Sequence, residues 1–420
     1  MGLGRDIVYG AAAAGSAPVW GFQLLRTGKW RTDWSGRFGR SPMKQDPHTA
    51  RKTLLIHAVS VGEVNATRRL IELLGHAQPS LRIVLATTTN TGFARARQVY
   101  GGSHEVVRYP FDFSFAVNRF LNTVRPDLVA LMELEIWPNF VEACAHRGIP
   151  VCTINGRLTH RSFRRYRWVR PWVRRSFAQL AATAVQTPEI AERFQAMGVP
   201  RERVHVLDTM KWDTAQVTDH VEGADTLAAE MGIDRNRALI VAGSTAPGED
   251  KLLIDTCPPQ AQLLIAPRKP EWFDQVIRYA PQAIRRSDPK PLRQPGERRI
   301  FLLDTIGELR KAYALADVVV VGRSFGRLYG SDMTEPIALN KPTIIGPQYS
   351  DFAQVMAALL KHDGIMVTSE PGRVAGQLLQ DRERAAALAK RGREVILAHQ
   401  GSAQKHADLL MKLLHRMQPD

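Results

Sequence analysis

The chain has 420 residues, of which 44% are hydrophobic and 23% charged, and its formal net charge at pH 7 is +16. This length favours two domains, and the ordinary balance of apolar and charged residues excludes a disordered chain. The positive charge predicts a polyanionic partner: nucleic acid, an anionic membrane leaflet or an acidic substrate. A reducing compartment is expected, because the scattered cysteines fit neither a disulfide framework nor a zinc site: Cys144, Cys152 and Cys257.

An uncharged stretch with a basic flank lies near the start of the chain. Ile7 to Leu25 carry no charge, but glycines and a proline interrupt them, and about 20 strongly apolar residues are usually needed to span a bilayer. This order predicts a membrane-associated segment over residues 1–45, lying in the interface with its flank on the cytoplasmic side. A single-pass span is the alternative. The flank consists of Arg26, Lys29, Trp30, Arg31, Trp34, Arg37 and Arg40.

Residues 46–212 alternate short β-rich runs with helical patterns. Apolar residues over Phe115–Val124 recur with the helical spacing i, i+3, i+4, i+7. Such alternation predicts a doubly wound parallel sheet, and hence a first Rossmann-like domain. Its predicted strands are Thr53–Val59, Arg82–Thr88, Asp127–Met132, Val151–Ile154 and Ala182–Gln186.

Two carboxylate motifs follow strands of this predicted sheet. Ser60 and Glu63 fit an S-x-x-E capping box, and Glu63 equally fits a general base whose pKa burial would raise toward neutrality. Glu133 and Glu135 end an apolar strand, so the pleat predicts that they point to opposite faces. One of them would then serve the site while the other caps the helix that starts near Pro138.

The segment from Arg157 to Arg175 contains eight arginines and no acidic residue. Aromatic side chains are interleaved with these cations, which suits a lipid headgroup region. The same composition would stack on single-stranded nucleic acid, and a merely solvated helix face is a third interpretation. The candidate docking residues are Arg157, Arg161, Arg164, Arg165 and Arg167.

Residues 213–236 show no strong strand signal and are interpreted as a linker. A second alternation fills residues 237–420, the last part of which is helical, and predicts a second Rossmann-like domain. We expect the two domains to face each other across a cleft at the carboxyl ends of their strands. The predicted strands are Ala238–Ala242, Gln262–Ala266, Arg299–Leu303, Val318–Val321, Thr343–Ile345 and Ile365–Val367.

Several motifs of the second half suit a charged nucleotide ligand. Thr305 and Glu308 form another capping box around Gly307, where helix N–H groups would meet a phosphate. A glycine-containing loop begins at Gly322 and leads to Glu335, which is suited to ribose hydroxyls. Arg268 after a strand and Lys211 at the domain junction suit phosphate or carboxylate, although surface cations would look the same. Neither a P-loop nor a G-x-G-x-x-G fingerprint occurs.

Taken in order, these motifs resemble the Kdo (3-deoxy-D-manno-octulosonic acid) transferases of lipopolysaccharide synthesis, glycosyltransferase family 30. The resemblance covers nearly the whole chain and implies the α/β GT-B fold. In place of the family's usual N-P-L-E-P, this chain reads Asp332-Met333-Thr334-Glu335-Pro336. The resembling segments are HAVSVGE, MELEIWPN, INGRLTHRS, DTMKWD, VAGST, APRKPE, DTIGELRKAYALADVVVVG and TEPIALNKPTIIGP.

The resemblance implies a CMP-Kdo donor, a lipid A precursor of the lipid IVA type as acceptor, inversion at the anomeric carbon, and neither metal nor cofactor. It implies Glu63 as the base, with Glu133 and Lys211 stabilising the transition state and Glu135 as a substitute for Glu133. It also implies action at the cytoplasmic face of the inner membrane, on an anionic leaflet and without nucleic acid. The implied CMP-binding residues are Pro267, Arg268, Ile306, Gly307, Glu308, Asp332, Met333, Thr334 and Glu335.

Two other functions fit the residues. The chain would also suit another GT-B transferase that uses a UDP-sugar on a lipid-linked acceptor. A non-catalytic, basic protein that binds membranes or nucleic acid would share its charge, with salt-dependent RNA binding as its signature.

Overall fold

The computed structural model describes residues 4–11, 14–17, 32–41, 43, 51–288 and 299–416. The chain divides into two compact units, one of residues 1–213 with 401–420 and one of residues 214–400. Each unit contains a seven-stranded sheet in which all the paired strands run parallel. Parallel sheets need helices on both faces, which explains why the central strands are buried throughout.

The first unit has the strand order β3-β2-β1-β4-β5-β6-β7. Because the order reverses between β1 and β4, the loops after these two strands diverge and leave a crevice at their carboxyl ends. The strands are β1 Thr53–His57, β2 Arg82–Thr87, β3 Glu105–Arg108, β4 Leu128–Met132, β5 Val151–Gly156, β6 Ala182–Val185 and β7 Val204–Val206.

Helices of the first unit cover both faces of its sheet. Four of them begin at a Ser or Thr whose side chain accepts a free N–H of the first turn: Ser60, Thr89, Thr159 and Thr187. Residues 4–11 and 14–17 are also helical. The other helices are Trp34–Arg37, Val61–Ala77, Asn90–Tyr100, Ser114–Val124, Pro138–His146, His160–Ala178, Pro188–Met197 and Ser402–His415.

The second unit has the strand order β10-β11-β9-β8-β12-β13-β14, which reverses between β8 and β12 and differs from the first in placing its fourth strand, β11, beside β9. The strands are β8 Leu239–Thr245, β9 Gln262–Pro267, β10 Ile284–Arg285, β11 Ile300–Leu302, β12 Val318–Val321, β13 Thr343–Ile345 and β14 Met366–Val367. The helices are Ala224–Met231, Glu249–Thr256, Phe273–Tyr279, Leu309–Leu315, Thr334–Ala338, Ala353–Lys361, Pro371–Gln380 and Arg382–His399.

Every strand predicted from the sequence is present in the structure, and the helix predicted over Phe115–Val124 is observed as Ser114–Val124. Three strands were not predicted: β3, β7 and β10. They are short, and each lies at or beside the end of its sheet, where half-exposed residues break the apolar run that marks a buried strand. The apolar pattern therefore locates the central strands and one edge strand, β14, and misses the other three edge strands.

The predicted domain boundaries differ from the two units. Residues 213–236 are not a bare linker, since they contain the helix Ala224–Met231, which packs on Leu309–Leu315 within the second unit. The last helix, Ser402–His415, belongs to the first unit, whereas the sequence placed it in the second domain. Its apolar face packs against the helix Val61–Ala77. The local sequence pattern carries no sign of this long-range packing, so the prediction assigned the last helix to the second domain from its position along the chain.

A buried histidine fixes that last helix to the sheet. Nε2 of His406 accepts the backbone N–H of Asn155 at 3.0 Å, and its Nδ1 lies 2.8 Å from the carbonyl oxygen of Ser402. Because Nε2 is an acceptor, the ring is neutral with its proton on Nδ1. Burial accordingly lowers the pKa of His406 to about 4.

We predict that His406 makes the stability of the protein sensitive to mild acid. The pKa of His406 in the folded protein lies below the usual value of about 6.5. The contribution of neutral His406 to the free energy of unfolding is therefore complete above pH 6.5, and it falls by about 3 kcal/mol in all as the pH drops toward 4. Thermal unfolding between pH 7 and 4.5 measures this loss, which should be smaller in His406→Leu than in the wild type. His415→Gln, an exposed histidine of the same helix, should behave like the wild type. Equal pH dependence in His406→Leu and the wild type would contradict this account.

Candidate active site

The carboxylate of Glu63 lies at the point where the strand order of the first sheet reverses. Ser60 Oγ donates to its Oε1 at 2.9 Å, and the N–H of Val59 donates to its Oε2 at 2.9 Å. Ser60 also caps the helix Val61–Ala77 by accepting the N–H of Glu63. The bond from the Glu63 N–H to Ser60 that the predicted capping box requires is therefore present, whereas the Glu63 carboxylate accepts the N–H of Val59 in place of that of Ser60. Each oxygen of the half-buried carboxylate thus accepts one hydrogen bond.

The pKa of Glu63 is raised to about 7, mainly by burial and next by the charge of Glu133. The hydrogen bonds from Val59 and Ser60 oppose this rise. Glu135 contributes to the rise as a more distant charge. A carboxylate with this pKa exchanges its proton near neutral pH, as a general base requires. The interpretations of Glu63 as a cap and as a base are thus compatible.

Glu133 and Glu135 lie in the turn after β4, not within the strand. Glu133 adopts a left-handed backbone with φ of 54° and donates its N–H to Ile154 at 3.0 Å. The charges of both glutamates raise the pKa of Glu63, so both carboxylates lie near it at this end of the sheet. The strand ends at Met132, before its pleat can separate the two side chains.

Glu135 does not cap the following helix. Its Oε2 accepts the indole N–H of Trp137 at 2.8 Å. The first-turn N–H groups of Asn139 and Phe140 donate instead to the carboxylate of Asp112, at 3.0 and 2.8 Å. Burial raises the pKa of Glu135 as well. This side chain therefore orients Trp137, an exposed ring beside the carboxylates.

The structure places one cation near these carboxylates that the sequence assigned elsewhere. Arg37, expected in the basic flank of a membrane segment, donates from its guanidinium to the carbonyl oxygen of Tyr109 at 2.6 Å and stacks 4.2 Å above the ring of Phe111. Burial lowers the pKa of Arg37 to about 10, and the charge of Glu135 opposes that shift. The flank therefore folds onto the sheet at this residue. Nothing in its sequence distinguishes Arg37 from its basic neighbours.

Lys211, the other predicted catalytic residue, lies in the 3-10 helix Met210–Thr214. Its N–H donates to Thr209 Oγ1 at 3.3 Å, and the residue is half-buried. The structure thus places Lys211 in the first unit with Glu63 and Glu133.

The predicted donor residues of the second unit follow its strands β9, β11 and β12. Pro267 ends β9 and is buried, whereas Arg268 is exposed and donates its N–H to Thr245 at 3.0 Å. The pKa of Glu335 is raised to about 7, mainly by burial and next by the charge of Asp332. Glu335 has one nearby cation, Arg310, at 4.0 Å.

Glu308 has a different character from Glu335. Its carboxylate accepts from Thr305 Oγ1 at 2.6 Å and from Arg286 Nε at 3.0 Å, and these bonds lower its pKa to about 2 despite partial burial. The side chain is thus engaged in holding its own loop, and Arg286 was not among the predicted residues. Gly307 has a φ of 95°, a left-handed conformation that favours glycine, and Ile306 beside it is 73% exposed.

The loop before Glu335 is fixed by Asp332, whose Oδ1 accepts the N–H of Thr334 at 2.9 Å and its hydroxyl at 2.6 Å. Met333 and Thr334 are buried. Their side chains therefore support the loop, whereas Asp332 is exposed and Glu335 is half-buried.

The basic segment forms the helix His160–Ala178. Four of the predicted docking arginines are exposed, whereas Arg157 precedes the helix and is half-buried. Trp168 and Trp172 are exposed by 88% and 62%. The exposed docking residues are Arg161, Arg164, Arg165 and Arg167.

The predicted N-terminal segment falls partly outside the described residues, including positions 18–31. Where it is described, Arg5 pairs with Glu142 at 2.5 Å, Asp6 accepts the N–H of Ser114 at 3.0 Å, and Ile7 is 65% exposed. Among the helices that the structure describes, none has both the length and the apolar character needed to cross a membrane. The described side chains also contain no cluster of three or more His, Cys, Asp or Glu suited to a metal ion.

Comparisons with known proteins agree on one family. Residues 32–214 match the family model described as 3-Deoxy-D-manno-octulosonic-acid transferase (kdotransferase). A 3-deoxy-D-manno-octulosonic acid transferase from Haemophilus influenzae is 31% identical over 378 residues, which cover 86% of this chain and 87% of that protein. Its counterpart from Bordetella pertussis is 29% identical over 439 residues, with coverages of 97% and 99%.

Solved structures share the fold at low identity. The structure of HepE from Anabaena with UDP is 14% identical, with a TM-score of 0.56 over 86% of this chain and 100% of that one. A glycosyltransferase from Rickettsia africae is 9% identical, with a TM-score of 0.58 over 87% and 99%. These likenesses, with the two parallel sheets, support the predicted α/β GT-B architecture of Rossmann-like units.

Proposed function

Because this chain belongs to the Kdo transferase family of lipopolysaccharide biosynthesis and is a glycosyltransferase, we propose that it transfers Kdo from CMP-Kdo to a lipid A precursor, with inversion and without a metal ion. The observation that carries this proposal is the carboxylate of Glu63, which has a pKa of about 7 at the reversal point of the first sheet.

In the proposed reaction, an acceptor hydroxyl attacks the anomeric carbon of Kdo while the bond from that carbon to the CMP phosphate oxygen breaks. The hydroxyl proton passes to Glu63, and CMP leaves with the electron pair of the broken bond. Attack opposite the leaving group inverts the anomeric centre. Positive charge develops at that carbon, so we assign the carboxylate of Glu133 to stabilising it and Lys211 to binding negative charge on the substrates. Glu135 remains the alternative to Glu133.

We assign donor binding to the second unit. The pKa of Glu335 is raised, and the cation near it, Arg310, is 4.0 Å away. A carboxylate in this environment suits hydrogen bonds with ribose hydroxyls. Arg268 is an exposed cation at the carboxyl end of β9, where nucleotides bind in open parallel sheets. The exposed Ile306 offers an apolar contact for the base. CMP is a good leaving group, which reduces the need for a metal.

We assign the membrane surface to the first unit, and we place the protein at the cytoplasmic face of the inner membrane. The helix His160–Ala178 presents exposed arginines beside Trp168 and Trp172. Exposed aromatic rings also surround Arg37: Trp34 stacks on Phe38, and Phe38 stacks on Phe115. Arginines favour anionic headgroups, and amphipathic rings favour the interface.

The direct experiment is a transfer assay with CMP-Kdo generated in situ and a tetraacylated lipid A precursor. Formation of a Kdo-lipid with release of CMP supports the proposal. Product inhibition by UDP in place of CMP would favour the alternative of a UDP-sugar transferase, and binding of RNA without any sugar transfer would favour the non-catalytic alternative.

We predict that Glu63→Gln lowers kcat about 10²–10⁴-fold without unfolding the protein, because it removes the general base. In the wild type, kcat/KM should fall about tenfold per pH unit below pH 7, since the base works only when deprotonated, and should level off above that pH. Glu72→Gln, on the exposed face of the same helix, is the control. Near-normal turnover with a reduced melting temperature in Glu63→Gln would limit Glu63 to its capping role.

We predict that Arg268→Ala and Glu335→Ala each weaken CMP binding about 10–100-fold, the usual effect of losing a hydrogen bond to a charged group. Calorimetry with CMP measures the loss, and the KM for lipid should stay unchanged. Arg278→Ala and Glu271→Gln alter exposed charges of the same unit and serve as controls. Wild-type CMP affinity in both site variants would move the donor site elsewhere.

We predict that replacing Arg164, Arg165 and Arg167 with Gln weakens binding to anionic vesicles by about tenfold or more, since each cation near such a leaflet contributes about 1 kcal/mol. The KM for lipid should rise more than the KM for donor. Vesicle sedimentation at low and high salt measures the binding. The control replaces Arg278, Arg382 and Arg384, three exposed arginines of the second unit. Equal binding by both triple variants would mean that the basic helix is merely solvated.

A further inference from the structure

A buried carboxylate joins two loops of the second unit at the point where its strand order reverses. Glu249 is only 4% exposed, and it lies in the first turn of the helix that follows β8. Its two oxygens accept four backbone N–H groups, one from the β8 loop and three from the β12 loop. These are the N–H groups of Ala246 at 2.9 Å, Arg323 at 2.7 Å, Ser324 at 2.8 Å and Phe325 at 2.9 Å.

Four donors on one carboxylate make a strong and directional anchor, because hydrogen bonds to an ionised acceptor are about twice as strong as neutral ones. They also occupy the backbone N–H groups of the β12 loop that a ligand anion would otherwise use. The loop is packed as tightly as its bonds suggest: a Cβ on Gly322 would lie 2.5 Å from the Cα of Thr245. An anion bound at this edge therefore cannot use these three N–H groups, and a side-chain cation is an alternative partner.

Arg323 supplies such a cation in an unusual backbone conformation. Its φ is 57°, in the left-handed region that is sterically unfavourable for a non-glycine residue. Within the described part of the chain its guanidinium has no ion-pair partner, and the residue is half-buried. Strain at a residue that packing and hydrogen bonds hold in place is typical of functional sites.

The location of Arg323 matches the donor site proposed above. Gly322 donates its N–H to Gly243 on β8, and Arg268 donates its N–H to Thr245 at the end of the same strand. The ends of β9, β8 and β12 are thus adjacent, and two strand spacings separate Arg268 from Arg323, about 10 Å at the backbone. Two long basic side chains at that separation can contact one charged ligand.

We propose that Arg323 binds an anionic group of the nucleotide-sugar donor, and that Glu249 is the positioning residue that holds Arg323 in its left-handed conformation. The inference rests on the proposed CMP-Kdo donor, which carries both a phosphodiester and a carboxylate. Either anion suits a guanidinium, so the test separates them.

The test uses Arg323→Gly in the full chain. Glycine keeps the N–H that bonds to Glu249 and accepts a positive φ without strain, so the melting temperature should be unchanged or higher. The affinity for CMP, measured by calorimetry, should nevertheless fall about tenfold or more if Arg323 binds the phosphate. If it binds the Kdo carboxylate, CMP affinity stays at the wild-type value and the KM for CMP-Kdo rises by that factor.

Asp363→Gly is the matched control, because Asp363 is an exposed residue of the same unit with a φ of 49°. It should share the effect on stability and leave both donor measurements unchanged. Wild-type CMP affinity together with a wild-type KM for CMP-Kdo in Arg323→Gly would overturn the inference. Failure of the wild type itself to bind CMP or use CMP-Kdo would instead refute the proposed donor.

Glu249→Gln tests the positioning role. The amide replaces one acceptor oxygen with a donor, so the β12 loop loses part of its anchor, and donor affinity should fall in the wild-type background. In the Arg323→Gly background the same change should cost little further donor affinity, because the cation it positions is already absent. Equal losses in the two backgrounds would show that Glu249 acts independently of Arg323 and would overturn the positioning role.

Discussion

A carboxylate taken out of water needs hydrogen-bond donors, and the number of donors that reach it sets its proton affinity. Both units place a glutamate in the first turn of the helix after their first strand, where the strand order reverses. Glu249 receives four backbone N–H groups and ties two loops together. Glu63 receives one backbone N–H and one hydroxyl, and two more carboxylates lie near it. The same position in the fold thus holds a carboxylate that ties two loops together in one unit and a carboxylate with a raised pKa in the other.

The central strands and the Ser60 helix cap were predictable from the sequence, because each depends on residues close together in the chain. The capping box predicted for Thr305 and Glu308 is not formed, since that helix begins only at Leu309 and has no side-chain cap. The raised pKa of Glu63 was expected only as one of two interpretations, since it depends on burial by the fold and on the charges of Glu133 and Glu135, about seventy positions away. Arg37 and Glu249 were missed for a related reason. The partners of Arg37 follow β3, which was itself not predicted, and three of the four donors to Glu249 come from the β12 loop. Contacts between distant segments leave no periodic signal in the sequence.

The N-terminal residues that the structure describes have two roles that composition alone does not separate. Ile7 and Val8 are exposed and apolar, as an interfacial segment requires. Arg5 and Asp6 are instead bonded to residues of the first unit, and Tyr9 donates its hydroxyl to Asp112 at 3.2 Å. These polar contacts orient the helix on the protein. An apolar face held in a fixed direction docks with less loss of entropy than a free tail.

The return of the chain to the first unit has a consequence for biosynthesis on the ribosome. The helix Ser402–His415 completes the core around the helix Val61–Ala77, but the whole second unit is translated between them. At usual elongation speeds of 5–20 residues per second, the wait is roughly 10–40 s. During that time the nascent first unit lacks the cover of its last helix, while the second unit, whose residues are contiguous, emerges complete. The unit begun first is therefore finished last, and its uncovered apolar face is the surface that a chaperone would meet.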